Sequence, residues 1–253
     1  MVPGQPGDPD VRVLLYRPVD AQRSLPLIVS MHGGAFARRA DNFPAADARL
    51  AMLGAAVVSV DYRIVPAHPF PSGVNDCYAA FCWAVASLDV DPQRVVVTGA
   101  SAGGALAAAV SLMARDRGGP AIALQALSIP VLDDRCATPS MRQYVEAPLF
   151  GGRQAEEMWS RYLGPDPDRS NVSPYAAPGR ATDLRGLPPA FIHVNGWDPL
   201  RDEGIEYARR LLADGVHVEL YCAPRQHHGV SEDQRTQANA ARLFGEAIRA
   251  AIA

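Results

Sequence analysis

Residues 94–104 read RVVVTGASAGG, and this stretch decides the fold that the sequence predicts. The valine-rich run Arg94–Thr98 is typical of a buried strand, and the alanine-rich run Ala102–Asp116 is typical of a helix. The GxSxG pattern between them places Ser101 on a sharp strand-to-helix turn that lifts the hydroxyl clear of the sheet. Flanking glycines keep side chains out of that turn, and the helix N-terminus favours negative charge. Ser101 is therefore the candidate nucleophile. Taken alone, the turn is also compatible with phosphate binding or a purely structural role.

Short β-rich runs alternate with helical patterns on both sides of this stretch. Predicted strands cover Val11–Tyr16, Leu27–Met31, Ala56–Asp61, Arg94–Gly99, Leu124–Ile129, Ala190–Asn195 and Val216–Tyr221. Predicted helices cover Pro44–Leu53, Val74–Ser87, Ala102–Asp116, Glu203–Ala213 and Ser231–Ala251. Several strands are continuous apolar runs, as expected when both faces of a parallel sheet are covered. The alternation predicts an α/β fold, with a mostly parallel sheet and helices on both faces.

One segment, residues 132–187, interrupts the alternation. It contains no clear strand, many Pro and Gly residues, and one short helical pattern near Gln154–Leu163. A structureless loop of that length is unusual inside a compact domain. The segment therefore predicts a small helical cap inserted into a single domain that spans residues 1–253, a length suited to one large α/β domain.

Composition excludes several classes of function. The net charge of −3 gives no footprint for nucleic acid or an anionic membrane surface, and no apolar run reaches the roughly 18 residues that a membrane helix needs. The four cysteines form no CxxC pair and the six histidines no HExxH pattern, so neither a metal nor another cofactor is expected. Residues 1–10 lack the basic start and apolar core of a signal peptide, which predicts a cytoplasmic protein.

The segment His32-Gly33-Gly34-Ala35 directly follows the predicted strand Leu27–Met31. A glycine pair lets the backbone approach a ligand closely and aim N–H groups at it. We assign the N–H groups of Gly33 and Gly34, together with that of Ala102, to an oxyanion hole. His32 is expected to brace the loop rather than act as a base. Alone, the segment is equally compatible with an ordinary turn between a strand and a helix.

A nucleophilic serine needs a base within hydrogen-bond reach, and the base needs a partner that orients it. His227 and His228 lie in the loop between the last predicted strand and the final helix, and spacing alone does not separate them. Asp198 lies just past the strand Ala190–Asn195, where sheets of this kind place their ligands. Asp202 is the alternative acid. Because a helix begins there, we interpret Asp202 as a residue that caps or braces the loop near Arg201.

These motifs, taken in order, resemble those of the hormone-sensitive-lipase-like group of α/β-hydrolases, the bacterial family IV esterases. The similarity covers nearly the whole chain. The matching motifs are HGGA at 32–35, DYR at 61–63, HPFP at 68–71, GASAGG at 99–104, LPPA at 187–190, DPLRDEG at 198–204 and HG at 228–229. Each motif is short, but their order and spacing together are very specific.

The resemblance implies an α/β-hydrolase fold and hydrolysis of carboxylic esters without a metal or an organic cofactor. It also selects between the alternatives left open by spacing. The acid is Asp198, the first residue of the DPLRDEG run, and the base is His228, the histidine that is followed by glycine.

The chain departs from the family pattern at several positions. Ala35 replaces the third glycine of the usual HGGG, Ala100 replaces a polar residue before the serine, and Val230 replaces an aromatic residue. Only about ten residues precede the first predicted strand, so the usual N-terminal cap is largely absent. This predicts an unusually open pocket, covered only by the insertion 132–187, and weak activity.

The leading hypothesis is a serine carboxylesterase that hydrolyses short- to medium-chain esters through an acyl-enzyme. The first alternative is an amidase or arylformamidase that uses the same three residues. The second is a catalytically inactive relative that binds a small ligand, but such a binder is expected to lose the histidine, and His228 is present. The expected partners are a small-molecule ester and, through the sheet edge near Val216–Tyr221, a second copy of the chain.

Overall fold

The computed structural model describes residues 1–19, 24–165, 167–231 and 233–253. Seven strands form one large sheet: β1 (Arg12–Tyr16), β2 (Leu25–Met31), β3 (Ala56–Asp61), β4 (Val90–Ala100), β5 (Leu124–Ser128), β6 (Ala190–Asn195) and β7 (Val218–Ala223). Their spatial order is β1-β3-β2-β4-β5-β6-β7. Only β1 runs antiparallel to its neighbour within these described ranges, so the mostly parallel sheet that the sequence predicts is confirmed.

Helices cover both faces of the sheet, as predicted. They are α1 (Pro44–Ala51), α2 (Ser72–Ser87), α3 (Ala102–Arg117), α4 (Pro139–Gln143), α5 (Gly152–Leu163), α6 (Arg201–Ala213) and α7 (Gln234–Ile252). Alternate residues of β2 point to opposite faces. Val29 belongs to a buried cluster that also contains residues of α2, α3 and α6, and Ile28 belongs to a second cluster that also contains residues of α1 and α7. Within the described ranges, no helix has both the length and the apolar character needed to cross a membrane.

The main differences from the sequence prediction lie in the insertion and near the C-terminus. Residues 132–187 contain α4 and a 3-10 helix at Pro178–Arg180 besides the expected helix, and residue 166 lies outside the described part. A two-stranded hairpin, β8 (Gln226–His227) with β9 (Val230–Ser231), precedes the last helix. The predicted helix Ser231–Ala251 starts too early, and its second residue lies outside the described ranges. The observed helix starts later because the Asp233 carboxylate accepts the Arg235 N–H at its N-terminus.

Strand β7 forms one edge of the sheet. The N–H of Ala190 donates to the carbonyl oxygen of His217, and the N–H of Gly196 donates to that of Ala223. The backbone groups of the odd-numbered residues therefore face β6. Backbone N–H and C=O groups alternate in direction along a strand. Those of the even-numbered residues of β7 therefore point away from the sheet, where they can pair with another strand.

We propose that two copies of the chain pair through this edge. Light scattering is expected to give twice the chain mass of 27.0 kDa. The variant Leu220→Pro removes one outward N–H and is expected to give the single-chain mass with little change in Tm. A wild-type protein that runs at 27.0 kDa contradicts the proposal.

Candidate functional site

Ser101 lies on a strained turn between β4 and α3. Its backbone has φ 56° and ψ −120°, a conformation that side chains of L-residues rarely adopt. The Ser101 N–H donates to the carbonyl oxygen of Ser128 at 2.9 Å, which ties the turn to β5. A β-carbon on Gly99 would lie 2.2 Å from the carbonyl oxygen of Gly103, and one on Gly103 would lie 1.9 Å from that of Met31. Both glycines of the GxSxG pattern are therefore required by close packing.

A continuous chain of hydrogen bonds joins Ser101, His228 and Asp198. The distance from Ser101 Oγ to His228 Nε2 is 2.9 Å, and the distance from His228 Nδ1 to Asp198 Oδ2 is 2.8 Å. The other carboxylate oxygen, Oδ1, accepts the Leu200 N–H at 2.9 Å. Asp198 is only 1% exposed, which excludes water from this contact. The structure thus brings together the three residues that the family resemblance selects.

The two alternatives left open by spacing lie elsewhere. Asp202 accepts a hydrogen bond from Arg201 Nε at 2.8 Å and another from the Ser140 N–H at 2.7 Å, so its carboxylate links α6 to α4. His227 contacts the Trp197 carbonyl oxygen through Nδ1 at 3.2 Å, and the two rings lie 5.2 Å apart. Neither residue occupies the position between Ser101 and a buried acid.

This geometry is suited to proton transfer. With the Nδ1 hydrogen donated to Asp198, the neutral imidazole presents an unprotonated Nε2 to the Ser101 hydroxyl. The buried carboxylate then stabilises the imidazolium that forms when the serine proton is taken up. The arrangement supports attack by the serine oxygen on an electrophilic carbon.

The loop after β2 packs directly against the serine turn. A β-carbon on Gly33 would lie 2.9 Å from the carbonyl oxygen of Ala100 and 3.6 Å from the Ser101 β-carbon. Among the described residues, none accepts a hydrogen bond from the N–H of Gly33, Gly34 or Ala102. Three candidate donors are therefore available on the two segments that meet at Ser101, as an oxyanion hole requires.

His32 braces this loop. Its ring stacks on Tyr62 with centroids 4.2 Å apart, and the Tyr62 hydroxyl donates to the His32 carbonyl oxygen at 2.8 Å. Its Nδ1 lies 2.9 Å from the Gly33 carbonyl oxygen. Burial lowers the pKa of His32, so its ring stays neutral. These contacts orient the glycine pair without placing His32 beside the serine hydroxyl.

Two residues at the site were not singled out from the sequence. Phe150, from the insertion, lies with its ring centroid 4.6 Å from that of His228. Glu203, in the DPLRDEG run, is only 4% exposed. No sequence pattern marks Phe150, whereas Glu203 belongs to a motif that was already recognised. The insertion also contacts the loop that carries Asp198, because the Tyr144 hydroxyl donates to the Gly196 carbonyl oxygen at 3.3 Å.

Two surface cavities of about 460 and 470 Å³ lie away from Ser101. The first lies between the segment Pro66–Pro69 and the end of α5, and the second lies along α6 beside Glu203 and Tyr207. The hydrogen-bonded group at Ser101 lines neither, so chemical geometry rather than cavity size identifies the site. In the part of the chain that the structure describes, no cluster of three or more His, Cys, Asp or Glu side chains has the arrangement of a metal site.

Comparisons with known proteins agree with this geometry. The sequence model of a family described as alpha/beta hydrolase fold matches residues 28–232. The chain is 40% identical over 233 residues to carboxylesterase NlhH of Mycobacterium tuberculosis, covering 89% of this chain and 73% of that protein. It is 36% identical over 249 residues to esterase LipI of the same species, covering 90% of this chain and 78% of that protein. The solved structure of a bacterial heroin esterase matches with a TM-score of 0.95 and 44% identity, covering 100% of this chain and 83% of that one.

The close approach of Gly33 to the serine turn predicts a specific cost of substitution. Gly33→Ala is expected to lower the free energy of unfolding by about 1–3 kcal/mol, because the added methyl group meets a backbone oxygen that cannot move freely. The matched control is Gly245→Ala in α7, where a β-carbon would meet nothing within 4 Å. That change is expected to raise the free energy of unfolding by about 0.5–1 kcal/mol. Urea denaturation measures both, and equal effects of the two variants would contradict the packing argument.

Proposed function

The chain belongs to the hormone-sensitive-lipase-like group of the α/β-hydrolase family, and we propose that it is a serine carboxylesterase acting on short- to medium-chain esters. The observation that carries the proposal is the hydrogen-bonded series Ser101–His228–Asp198 at the strained turn. The relatives and solved structures named above are themselves carboxylesterases or esterases. Ester hydrolysis needs no group beyond those that this site provides.

In the proposed mechanism, His228 Nε2 takes the proton from Ser101 Oγ as that oxygen attacks the ester carbonyl carbon. The tetrahedral intermediate collapses when the carbon–oxygen bond to the alcohol breaks, and His228 returns the proton to the departing alcohol. A water molecule, deprotonated by His228, then attacks the acyl-enzyme. The carboxylic acid leaves and Ser101 regains its proton, so His228 and Asp198 end each cycle in their starting states.

We propose that backbone N–H groups stabilise the negative charge that develops on the tetrahedral oxygen. We assign its stabilisation to the N–H groups of Gly33, Gly34 and Ala102, of which the last lies at the N-terminus of α3. A donor of this kind is typically worth about 3 kcal/mol in the transition state. The helix N-terminus adds a favourable field for the same charge.

Phe150 bears on the proposed substrate range. Its ring lies against His228 and belongs to the insertion 132–187, which we propose is the cap of a single domain. An acyl or alkoxy group bound beside Ser101 therefore has an aromatic side chain next to it. We propose that the ring limits the length of chain that fits beside His228, and that its apolar surface accepts chains of short to medium length.

An amidase or arylformamidase remains the main alternative, because acyl transfer by the same three residues serves both ester and amide substrates. A catalytically inactive small-ligand binder is disfavoured by the intact contact between Ser101 and His228. Parallel assays on matched ester and anilide substrates separate the first alternative, since an esterase is expected to turn over only the ester efficiently.

Removing the proposed nucleophile is expected to abolish ester turnover. Wild-type protein should hydrolyse p-nitrophenyl acetate and butyrate faster than laurate. Ser101→Ala should lose activity on all three by about 10⁴-fold or more, because no oxygen remains to form the acyl-enzyme. The control is Ser111→Ala, since the one hydrogen bond of that hydroxyl among the described residues goes to the Ala107 carbonyl oxygen of its own helix. Residual turnover in Ser101→Ala equal to that of the control would overturn the proposal.

The two aspartates of the DPLRDEG run offer a matched pair. Asp198→Asn is expected to lower kcat on the order of 10³–10⁴-fold, because the amide no longer holds the imidazole in the productive tautomer. Asp202→Asn removes the same charge from a carboxylate that contacts Arg201 and Ser140, and it is expected to lower kcat far less. Comparable losses of kcat in the two variants would show that Asp198 has no special role.

Phe150→Ala is expected to shift chain-length preference toward longer esters. Removing the ring opens space beside His228, so the ratio of kcat/KM for laurate to that for butyrate should rise on the order of tenfold. The neighbouring Leu149 is 77% exposed, and Leu149→Ala serves as the control. An unchanged ratio in Phe150→Ala would show that the ring does not border the substrate chain.

We also propose a cytoplasmic location. The proposal is supported by the four cysteines, which are free thiols, with Cys77 fully buried; proteins that keep thiols reduced are typical of that compartment. Fractionation of the native host tests it, and recovery of the protein outside the cytoplasm would contradict it.

A further inference from the structure

Glu203 is a buried carboxylic acid that the hydrolytic mechanism above does not use. It lies in the first turn of α6, one helical turn past the loop that carries Asp198. Its Oε1 accepts the Leu132 N–H at 2.6 Å and the Asp133 N–H at 3.4 Å. These two N–H groups belong to the segment that leads from β5 into the insertion, so one side chain joins the start of α6 to that segment.

The segment bound by Glu203 is also bound to the nucleophile. The N–H of Val131, directly before Leu132, donates to the Ser101 carbonyl oxygen at 3.2 Å. On the far side, the Leu132 carbonyl oxygen accepts the Gly179 N–H at 2.8 Å. The series of contacts therefore runs from α6, through residues 131–133, to the backbone of Ser101.

Packing reinforces the same connection. Pro130 lies between the helix that follows Ser101 and the helix that follows Asp198. A β-carbon on Gly104 would lie 2.8 Å from the Pro130 β-carbon, and one on Gly204 would lie 3.9 Å from Pro130 Cγ. A shift of residues 130–133 would consequently move both helix N-termini against each other.

The surroundings of Glu203 favour its neutral form. Among the described residues, Oε2 has no hydrogen-bond partner. Three arginines line the second cavity beside Glu203, and each binds another group: Arg135 pairs with Asp133, Arg180 pairs with Asp134, and Arg210 donates to the Gly179 carbonyl oxygen. Burial, with smaller contributions from the nearby Asp133 and Asp198 carboxylates, raises the pKa of Glu203 well above its ordinary value.

We propose that Glu203 is a positioning residue, which holds the Asp198 loop and the Ser101 turn at the separation that lets His228 bridge them. It touches neither the substrate nor His228 and acts through residues 131–133. The inference rests on the proposed function, since it assigns a role within the same site. It predicts that loss of the acceptor oxygen affects chemistry more than substrate binding.

The test compares four variants on p-nitrophenyl butyrate. Glu203→Ala and Glu203→Met both remove the acceptor, and Met keeps most of the volume. Each is expected to lower kcat by about tenfold to a hundredfold, the cost of a small misplacement of reacting groups, with KM changed by no more than about twofold. Glu203→Gln keeps a neutral acceptor and should retain kcat within about threefold. Glu206→Ala is the control, since that exposed side chain of the same helix pairs with Arg209.

A second readout reports the nucleophile without any ester turnover. The rate at which paraoxon phosphorylates Ser101 is expected to fall in parallel with kcat in the Ala and Met variants and to recover in Glu203→Gln. If the wild type shows no Ser101-dependent ester turnover, the proposed function fails, while the paraoxon rates still compare the Glu203 variants.

Three outcomes overturn the inference. They are wild-type kcat and paraoxon rates in folded Glu203→Ala and Glu203→Met, a Glu203→Gln variant as impaired as Glu203→Ala, and failure of both the Ala and Met variants to fold. The last outcome would make Glu203 a residue of folding rather than of positioning. Circular dichroism and Tm of each variant distinguish the first case from the last.

Discussion

The contact between Gly99 and Gly103 is the constraint on which the rest of the site depends. The end of the central strand and the start of its helix meet backbone against backbone, with no room for a side chain. This closeness goes with the positive φ of Ser101, and strain of that kind persists only where the surroundings hold it in place. The surroundings here are the neighbouring strands, because Ser128 on β5 binds the Ser101 N–H and Met31 at the end of β2 packs against Gly103. The position of Ser101 is thus set by three adjacent strands rather than by one loop.

Much of the fold was predictable because it follows from local patterns in the amino-acid sequence. Apolar runs alternate with helical ones, and each polar motif follows directly after a strand. In a parallel sheet those ends meet at one edge, so motifs that are distant in sequence converge there. Spacing did not separate Asp198 from Asp202, and the reason is geometric: Asp198 precedes the first turn of α6, whereas Asp202 lies within it and faces Ser140. That choice came from the family resemblance, and the hydrogen bonds to His228 and Ser140 show the physical difference between the two carboxylates.

What escaped prediction depends on contacts between segments far apart in the chain. The contact of Phe150 with His228 requires the insertion to fold back towards the site, and nothing in the composition of that segment indicates where it packs. Glu203 has the sequence context of an exposed first-turn acid, which is the ordinary place for such a residue in a helix. Its burial becomes visible only when residues 131–133 are placed above it. Local propensity, in short, reveals elements and turns, while the partners of a buried polar group are decided by the tertiary fold.

Hydrogen bonds join residues 132–187 to the loop that carries Asp198, and they limit how the two segments can change independently. Ser140 binds both the Asp202 carboxylate and the Pro199 carbonyl oxygen, and Tyr144 binds Gly196, so residues of this segment hold the loop on both sides of Asp198. A change in the position of residues 139–144 would therefore also act on the loop that carries Asp198. If residues 132–187 bind the substrate, as we propose, then substrate recognition and the geometry of the Ser101–His228–Asp198 series cannot vary independently in this fold.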